Sequence, residues 1–142
     1  MESNRLVKLW IVDDDSADRE LLVEALDEAN MPYEIDSFTN GQELCMHLAS
    51  CDTRKFPNFI LLDLNMPVMD GRETLKQIKG SEQYRVIPVF VLSTSNSQND
   101  IQLSYNTGAN LFLVKPMHFE ELCSIVKSLL SLFRTGVAQI GV

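Results

Sequence analysis

Acidic, hydroxyl and amine side chains stand at the ends of four apolar runs of the sequence. They are Asp13, Asp14 and Asp15 after the first run, Asp63 after "FILL", Ser93, Thr94 and Ser95 after another, and Lys115 after the last. Carboxylates that lie close together repel one another unless a cation or hydrogen bonds offset their charge. An oxygen-only set without His or Cys suits a hard ion, and Mg²⁺ takes one or two protein carboxylates together with phosphate oxygens. The pattern therefore predicts a Mg²⁺ site.

The same residues are suited to transfer of a phosphoryl group to an acid. Asp13, Asp14 and Asp63 supply three negative charges, which Lys115 and a divalent ion would nearly neutralise. A carboxylate can serve as nucleophile, a metal can bridge donor and acceptor oxygens, and an amine and a hydroxyl can bind the transferred oxygens. In this interpretation Asp63 becomes an aspartyl phosphate.

The elements that position these residues follow from the hydrophobic pattern. Near-continuous apolar runs at 9–12, 59–62, 86–92 and 111–114 are typical of strands covered on both faces. Residues 33–38 alternate apolar and polar side chains, which predicts a wetter edge strand.

Helical spacing appears between and after the strands, clearest in 122–133 and weakest in 101–105. Five strand and helix pairs with short connections predict an α/β fold, a doubly wound, flavodoxin-like parallel sheet of order 2-1-3-4-5 with five helices. Residues 1–142 are expected to form one domain, with a core at about 6–133 and a tail at 134–142. Ligands of such sheets bind beyond the carboxyl ends of the strands, where the predicted site residues stand.

Composition excludes several classes of function. The formal net charge is -8 and no basic stripe is present, which argues against nucleic-acid binding. No apolar stretch is long enough to span a membrane, and the first residues do not resemble a signal peptide, so the cytoplasm is expected. Cys45, His47 and Cys51 match no zinc-ligand spacing, and they are interpreted as helix-packing thiols beside a surface imidazole.

Each candidate residue also has a structural interpretation. Asp15 or Ser16 is expected to cap the first helix, because both residue types accept hydrogen bonds from free amides there. Asp63 alone is compatible with a turn, and Ser93 alone with an ordinary strand end. The functional interpretation therefore depends on the joint pattern.

Four motifs, in order, resemble those of the receiver domains of bacterial two-component response regulators. They are "LWIVDDDSADRE", "FILLDLNMPVMDG", "IPVFVLSTS" and "ANLFLVKPM", and the resemblance covers about 6–133. It implies that Asp13 and Asp14 bind the metal, that Asp63 accepts the phosphoryl group and binds the metal, and that Asn65 adds its backbone carbonyl. It further implies that Ser93 is the switch hydroxyl, Lys115 the phosphate-binding lysine and Phe112 the switch aromatic. A cis Lys115–Pro116 bond, slow to isomerise during refolding, is also implied.

The chain departs from the family pattern at two positions. Ser93 stands where Thr is usual and Thr94 follows it, so a shifted assignment of the switch hydroxyl to Thr94 stays open. Phe112 stands where Tyr is commoner, which removes a hydroxyl that an effector or a buried carbonyl could bind.

The resemblance implies a stand-alone response regulator, phosphorylated by a sensor histidine kinase or a phosphotransfer protein and acting on a downstream protein target. It would catalyse its own phosphorylation and dephosphorylation without being a multiple-turnover enzyme. The weak stripe of the fourth helix leaves room for a partner, including a second copy of the chain in a homodimer. Two alternatives are a phosphorylation-independent interaction module and a phosphatase of the haloacid dehalogenase type. The second would require another acid where Asn65 stands.

Overall fold

The computed structural model describes residues 6–134, in which five strands and five α-helices alternate. The strands are β1 Val7–Val12, β2 Tyr33–Phe38, β3 Phe59–Leu62, β4 Val89–Ser93 and β5 Leu111–Val114. The helices are α1 Ser16–Glu28, α2 Gly41–Ser50, α3 Gly71–Lys79, α4 Gln98–Thr107 and α5 Phe119–Arg134. A short 3₁₀ turn, Thr53–Lys55, precedes β3.

All neighbouring strands pair in parallel, in the order β2-β1-β3-β4-β5, which confirms the predicted fold. Successive side chains of a strand point to opposite faces of the sheet, so two cores form. Leu9 and Ile11 join α1 and α5 in one core, whereas Trp10 and Val12 join α2 and α3 in the other. The carboxyl ends of all five strands consequently meet at one edge.

Two strands differ from the prediction. β5 is only partly buried, with Val114 43% exposed, because it is the last strand of the sheet and has a strand neighbour on one side only. β4 begins at Val89 rather than at residue 86, since Val86 is exposed and Pro88 has no amide to donate to a strand ladder.

Helices α1 to α4 each begin at a side-chain cap. Asp15 caps α1 by accepting hydrogen bonds from the amides of Ala17 and Asp18, which confirms the predicted capping role. Asp70 caps α3 through the amide of Glu73. Gly71 follows directly, and a Cβ there would clash with the carbonyl oxygen of Asp63. The "DG" pair thus lets α3 begin against the backbone of the predicted phosphoryl acceptor.

α4 buries little of its surface, in keeping with its weak apolar stripe. Ser104 is its one buried residue, whereas Leu103 and Tyr105 are exposed. Arg134 is the last residue of α5, and the remainder of the predicted tail, 135–142, lies outside the described residues. Within 6–134, none of the helices has the length and apolar character needed to cross a bilayer.

Candidate functional site

Three aspartates meet at the carboxyl edge of the sheet. Asp13 follows β1 and Asp63 follows β3, and both are buried, whereas Asp14 is exposed. One carboxylate oxygen from each of Asp13, Asp14 and Asp63 lies within 4.8 Å of the others. This oxygen-only set fits a hard divalent ion such as Mg²⁺, because such ions prefer carboxylate oxygens and keep part of their water shell.

The backbone holds the two buried aspartates in place. The amide of Asp13 donates to the carbonyl of Phe38 at 3.0 Å, and the amide of Asp63 donates to the carbonyl of Val12 at 3.0 Å. The sheet ladders therefore continue one residue past the strands. Each carboxylate also accepts an amide from its own loop, Asp13 from Asp15 at 2.9 Å and Asp63 from Asn65 at 3.3 Å.

Lys115 brings an ammonium group into the acidic cluster. Its Nζ lies 3.1 Å from Asp13 Oδ2 and 3.7 Å from Asp63 Oδ2, and its backbone amide donates to the carbonyl of Ser93 at 2.7 Å. The expected cis Lys115–Pro116 bond is wrong for this structure, because that bond is trans. The trans isomer is the one that bonds preceding proline favour, by about 0.5–1 kcal/mol.

A residue outside the predicted set makes the shortest contact with the ammonium group of this lysine. Asp18 Oδ2 lies 2.8 Å from Lys115 Nζ. From the sequence, Asp18 is simply an acid in the first turn of α1, where such residues favour the helix dipole. The sequence carries no signal for the contact between Asp18 and Lys115, because this contact depends on how α1 is oriented against β5.

One ammonium among several carboxylates determines the electrostatics of the site. Burial raises the pKa of Asp63, and the neighbouring Asp13 adds to this against the opposing effect of Lys115. Burial likewise raises the pKa of Asp13, although the amide of Asp15 and Lys115 oppose it. For Lys115, burial disfavours the charge, but the hydrogen bond to Asp18 and the charges of Asp13 and Asp63 outweigh it and raise its pKa. The site is therefore short of positive charge, which a divalent ion would supply.

The two candidate switch hydroxyls differ in location. Ser93 is the last residue of β4 and fully buried, and its Oγ accepts a hydrogen bond from the amide of Ser95 at 3.2 Å. Thr94 is exposed. Because β3 and β4 pair Leu62 with Val91, Ser93 lies one register position beyond Asp63 on the adjacent strand. Ser93 is therefore the buried hydroxyl of the two and the nearer in register to Asp63, and its role as the switch stays a prediction.

The predicted roles of Phe112 and Asn65 stay predictions. The Phe112 ring is partly buried against the core shared with α2 and α3, and its amide donates to the Tyr105 hydroxyl at 2.9 Å. Tyr105 was not singled out from the sequence, because residues seven apart on a helix and a following strand carry no fixed contact. Asn65 is exposed, and the role of its carbonyl as a metal ligand stays a prediction.

The structure also shows the surroundings of three residues whose spacing matches no zinc site, Cys45, His47 and Cys51. The imidazole of His47 packs edge-on against Trp10, with ring centroids 5.1 Å apart, and is tilted against Phe38, with ring centroids 5.3 Å apart. His47 is exposed and both thiols are partly buried. Among the described residues, the one set of three or more His, Cys, Asp or Glu that could hold a metal is the aspartate cluster.

A family model and several known proteins match the sequence of this chain. The family model of the response regulator receiver domain matches residues 9–127. The probable methanogenesis regulatory protein FilR2 of Methanothrix harundinacea is 36% identical over 85% of this chain and 79% of its own length. Response regulator Rcp1 of Synechocystis is 34% identical over 90% of this chain and 89% of its own length.

Solved structures agree with these sequence relatives. The crystal structure of the phosphorylated cyanobacterial phytochrome response regulator RcpA superposes with a TM-score of 0.83 at 35% identity, over 97% of this chain and 100% of that one. The Mn²⁺-bound form of Rcp1 superposes with a TM-score of 0.81 at 31% identity, over 95% and 99%.

Proposed function

The chain belongs to the response regulator receiver domain family, and on that premise we propose that it accepts a phosphoryl group on Asp63 with Mg²⁺ as cofactor. Asp13, Asp14, Asp63 and the backbone carbonyl of Asn65 are the proposed metal ligands. The observation that carries the proposal is the cluster of three carboxylates within 4.8 Å, with the Lys115 ammonium 3.7 Å from Asp63. The Mn²⁺-bound form of Rcp1 and the phosphorylated form of RcpA support it.

The donor is a phosphohistidine of a sensor histidine kinase or a phosphotransfer protein. An oxygen of the Asp63 carboxylate forms the new bond to phosphorus, the phosphorus–nitrogen bond breaks, and the imidazole nitrogen leaves with the electron pair. Bound Mg²⁺ would offset the charge shared by donor and acceptor oxygens. Lys115 binds the transferred oxygens as a point charge, and Ser93 donates its hydroxyl proton to one of them.

The aspartyl phosphate changes the charge of the site and so switches a surface. Ser93 and Lys115 turn toward the new dianion, and Phe112 moves inward. Moving an active fraction from about 1% to about 99% requires about 5.5 kcal/mol of preference for the phosphorylated state. A single charge-assisted hydrogen bond of about 1.5–3 kcal/mol is insufficient, so these residues act together.

The output surface is formed by α4, β5 and α5. Leu103, Tyr105 and Val114 expose apolar side chains there, which suits a protein target or a second copy of the chain. We propose a single-domain, cytoplasmic regulator covering 1–142, supported by the near-complete coverage of Rcp1 and RcpA. Nucleic acid is not proposed as a partner, since the net charge is -8.

Incubation with acetyl phosphate and Mg²⁺ tests the proposal. The wild type should gain one phosphoryl group by intact mass and by Phos-tag gel, slowly reversed and dependent on Mg²⁺. Asp63→Asn should stay folded and unlabelled, whereas Asp36→Asn, a change to an exposed acid of β2, should label as the wild type does. Label that persists in Asp63→Asn refutes the acceptor assignment. Rapid multiple turnover would indicate a phosphatase, and absence of label an interaction module.

A further inference from the structure

Lys115 contacts three carboxylates, and the closest one lies outside the metal cluster. Its Nζ is 2.8 Å from Asp18, 3.1 Å from Asp13 and 3.7 Å from Asp63. We propose that Asp18 is a positioning residue that holds Lys115 away from Asp63 and thereby weakens the binding of a phosphoryl group there. The inference rests on the proposed function.

The position of Asp18 on α1 is well defined. It is the third residue of α1, and its amide donates to the capping carboxylate of Asp15 at 3.3 Å. The Lys115 side chain is 16% exposed and that of Asp18 37% exposed. A hydrogen-bonded ion pair that is partly withdrawn from water is stronger than an exposed one, because solvent screens it less.

Free space borders the lysine side chain on one side. A cavity of about 70 Å³ adjoins it between α1 and α5, lined in part by Leu21, Leu22 and Leu122. The cavity borders Lys115 and Asp18 but not Asp63, so it leaves the lysine side chain loosely packed on the side of α1, and its Nζ already lies 3.7 Å from Asp63. Movement of the ammonium from Asp18 toward Asp63 is then governed mainly by the competing charges.

The other two carboxylates are weaker competitors once a metal is bound. Asp13 and Asp63 are both in the proposed ligand set, so a divalent ion would reduce their attraction for Lys115. Asp18 is outside that set, so a bound ion would not reduce its attraction for Lys115 in the same way. With Asp18 included, four acids face one lysine and one divalent ion, which leaves the assembled site one charge negative instead of neutral. Both effects oppose the arrival of an anionic phosphoryl group.

The test is the binding of beryllofluoride, a phosphoryl mimic, to Asp18→Asn at saturating Mg²⁺. Loss of the charge, with nearly the same shape retained, should tighten beryllofluoride binding about tenfold. Affinity for Mg²⁺ alone should not rise, since the variant removes negative charge near the metal. Trp10, the one tryptophan of the chain, lies in β1 close to Asp13 and provides a fluorescence signal.

Two matched variants control for charge and for structure. Glu20→Gln removes an exposed acid of the same helix and should bind beryllofluoride as the wild type does. Asp18→Glu keeps the charge and should stay within about threefold of the wild type, since the longer side chain can still reach Lys115.

Three results would decide against the inference or its premise. Equal or weaker beryllofluoride binding by Asp18→Asn overturns the positioning role. Parallel loss of Mg²⁺ and beryllofluoride affinity shows that Asp18 merely maintains the structure of the pocket, and this also overturns it. Failure of the wild type itself to bind beryllofluoride with Mg²⁺ contradicts the proposed function instead.

Discussion

The backbone amide of Ser95 donates a hydrogen bond to the Ser93 hydroxyl oxygen at 3.2 Å, so the hydroxyl at the end of β4 is engaged with its own loop. The loop continues through Ser95, whose hydroxyl donates to Asp100 at 2.7 Å, and Asp100 accepts Arg72 of α3 at 3.0 Å. Movement of Ser93 toward a phosphoryl group would therefore disturb a hydrogen-bonded chain that reaches α3 and α4.

Ser93→Ala should weaken beryllofluoride binding about tenfold, because the variant loses a donor to a charged oxygen. Thr94→Ala should stay within about twofold of the wild type, since Thr94 is exposed. Titration at saturating Mg²⁺ measures both. The reverse ranking would assign the switch to Thr94.

Asp63→Asn should raise the free energy of unfolding by about 1 kcal/mol without metal, because it removes a buried charge that burial disfavours. Added Mg²⁺ at about ten times its Kd should stabilise the wild type by about 1.4 kcal/mol and the variant by less. Urea denaturation with EDTA or Mg²⁺ gives both values. Asp36→Asn is the control, expected within about 0.5 kcal/mol of the wild type.

Tyr105→Phe should lower the free energy of unfolding by about 0.5 kcal/mol and speed hydrogen exchange at the Phe112 amide. The variant removes the hydroxyl that accepts a hydrogen bond from the Phe112 amide on the edge strand β5. Because Tyr105 is 43% exposed, water replaces part of the lost hydrogen bond. Tyr84→Phe, at a tyrosine whose ring packs against Phe56, is the control. Unchanged exchange at Phe112 would show that the contact does not restrain the strand.

Val68→Gly should raise the free energy of unfolding by about 0.5–1 kcal/mol. Val68 has a φ of +70°, a left-handed conformation that costs an L-residue about 1–2 kcal/mol and that glycine adopts freely. Glycine also makes the unfolded chain more flexible, which offsets about 0.5–1 kcal/mol of the strain that is relieved. Val86→Gly, at an exposed valine outside the positive-φ residues, should destabilise instead. Urea denaturation of both variants compares the signs, and loss of stability in Val68→Gly would refute the strain.

The stability of the wild type relative to Lys79→Met should rise between about pH 8 and about pH 10.5. Burial lowers the pKa of Lys79 to about 8, while its Nζ donates to the carbonyls of Arg85 and Ile87. The folded protein then binds fewer protons than the unfolded chain in this range, so the cost of burying the charge, fully present below about pH 8, is relieved as pH rises. Urea denaturation at about pH 7 and about pH 10 measures it. A difference between the two proteins that does not change with pH would contradict the shift.

Much of the fold could be predicted because hydrophobic periodicity is local. The "FILL" run was buried as predicted, and the alternating β2 lies at an edge of the sheet. The burial of β5 was overestimated because residues 111–114 are apolar whether or not a further strand covers them. Its position at the edge depends on the strand order and not on its own composition.

Parallel strands place their carboxyl ends together whatever the details of packing. The amino-acid pattern was therefore enough to predict one shared edge for the site residues Asp13, Asp14, Asp63, Ser93 and Lys115. Three contacts could be read only from the packed domain: Asp18 binds Lys115, Ser93 rather than Thr94 is buried, and the Tyr105 hydroxyl accepts the Phe112 amide. Those contacts depend on how α1 and α4 are rotated and packed against the sheet. That orientation results from side-chain packing across the whole domain, which no local pattern contains.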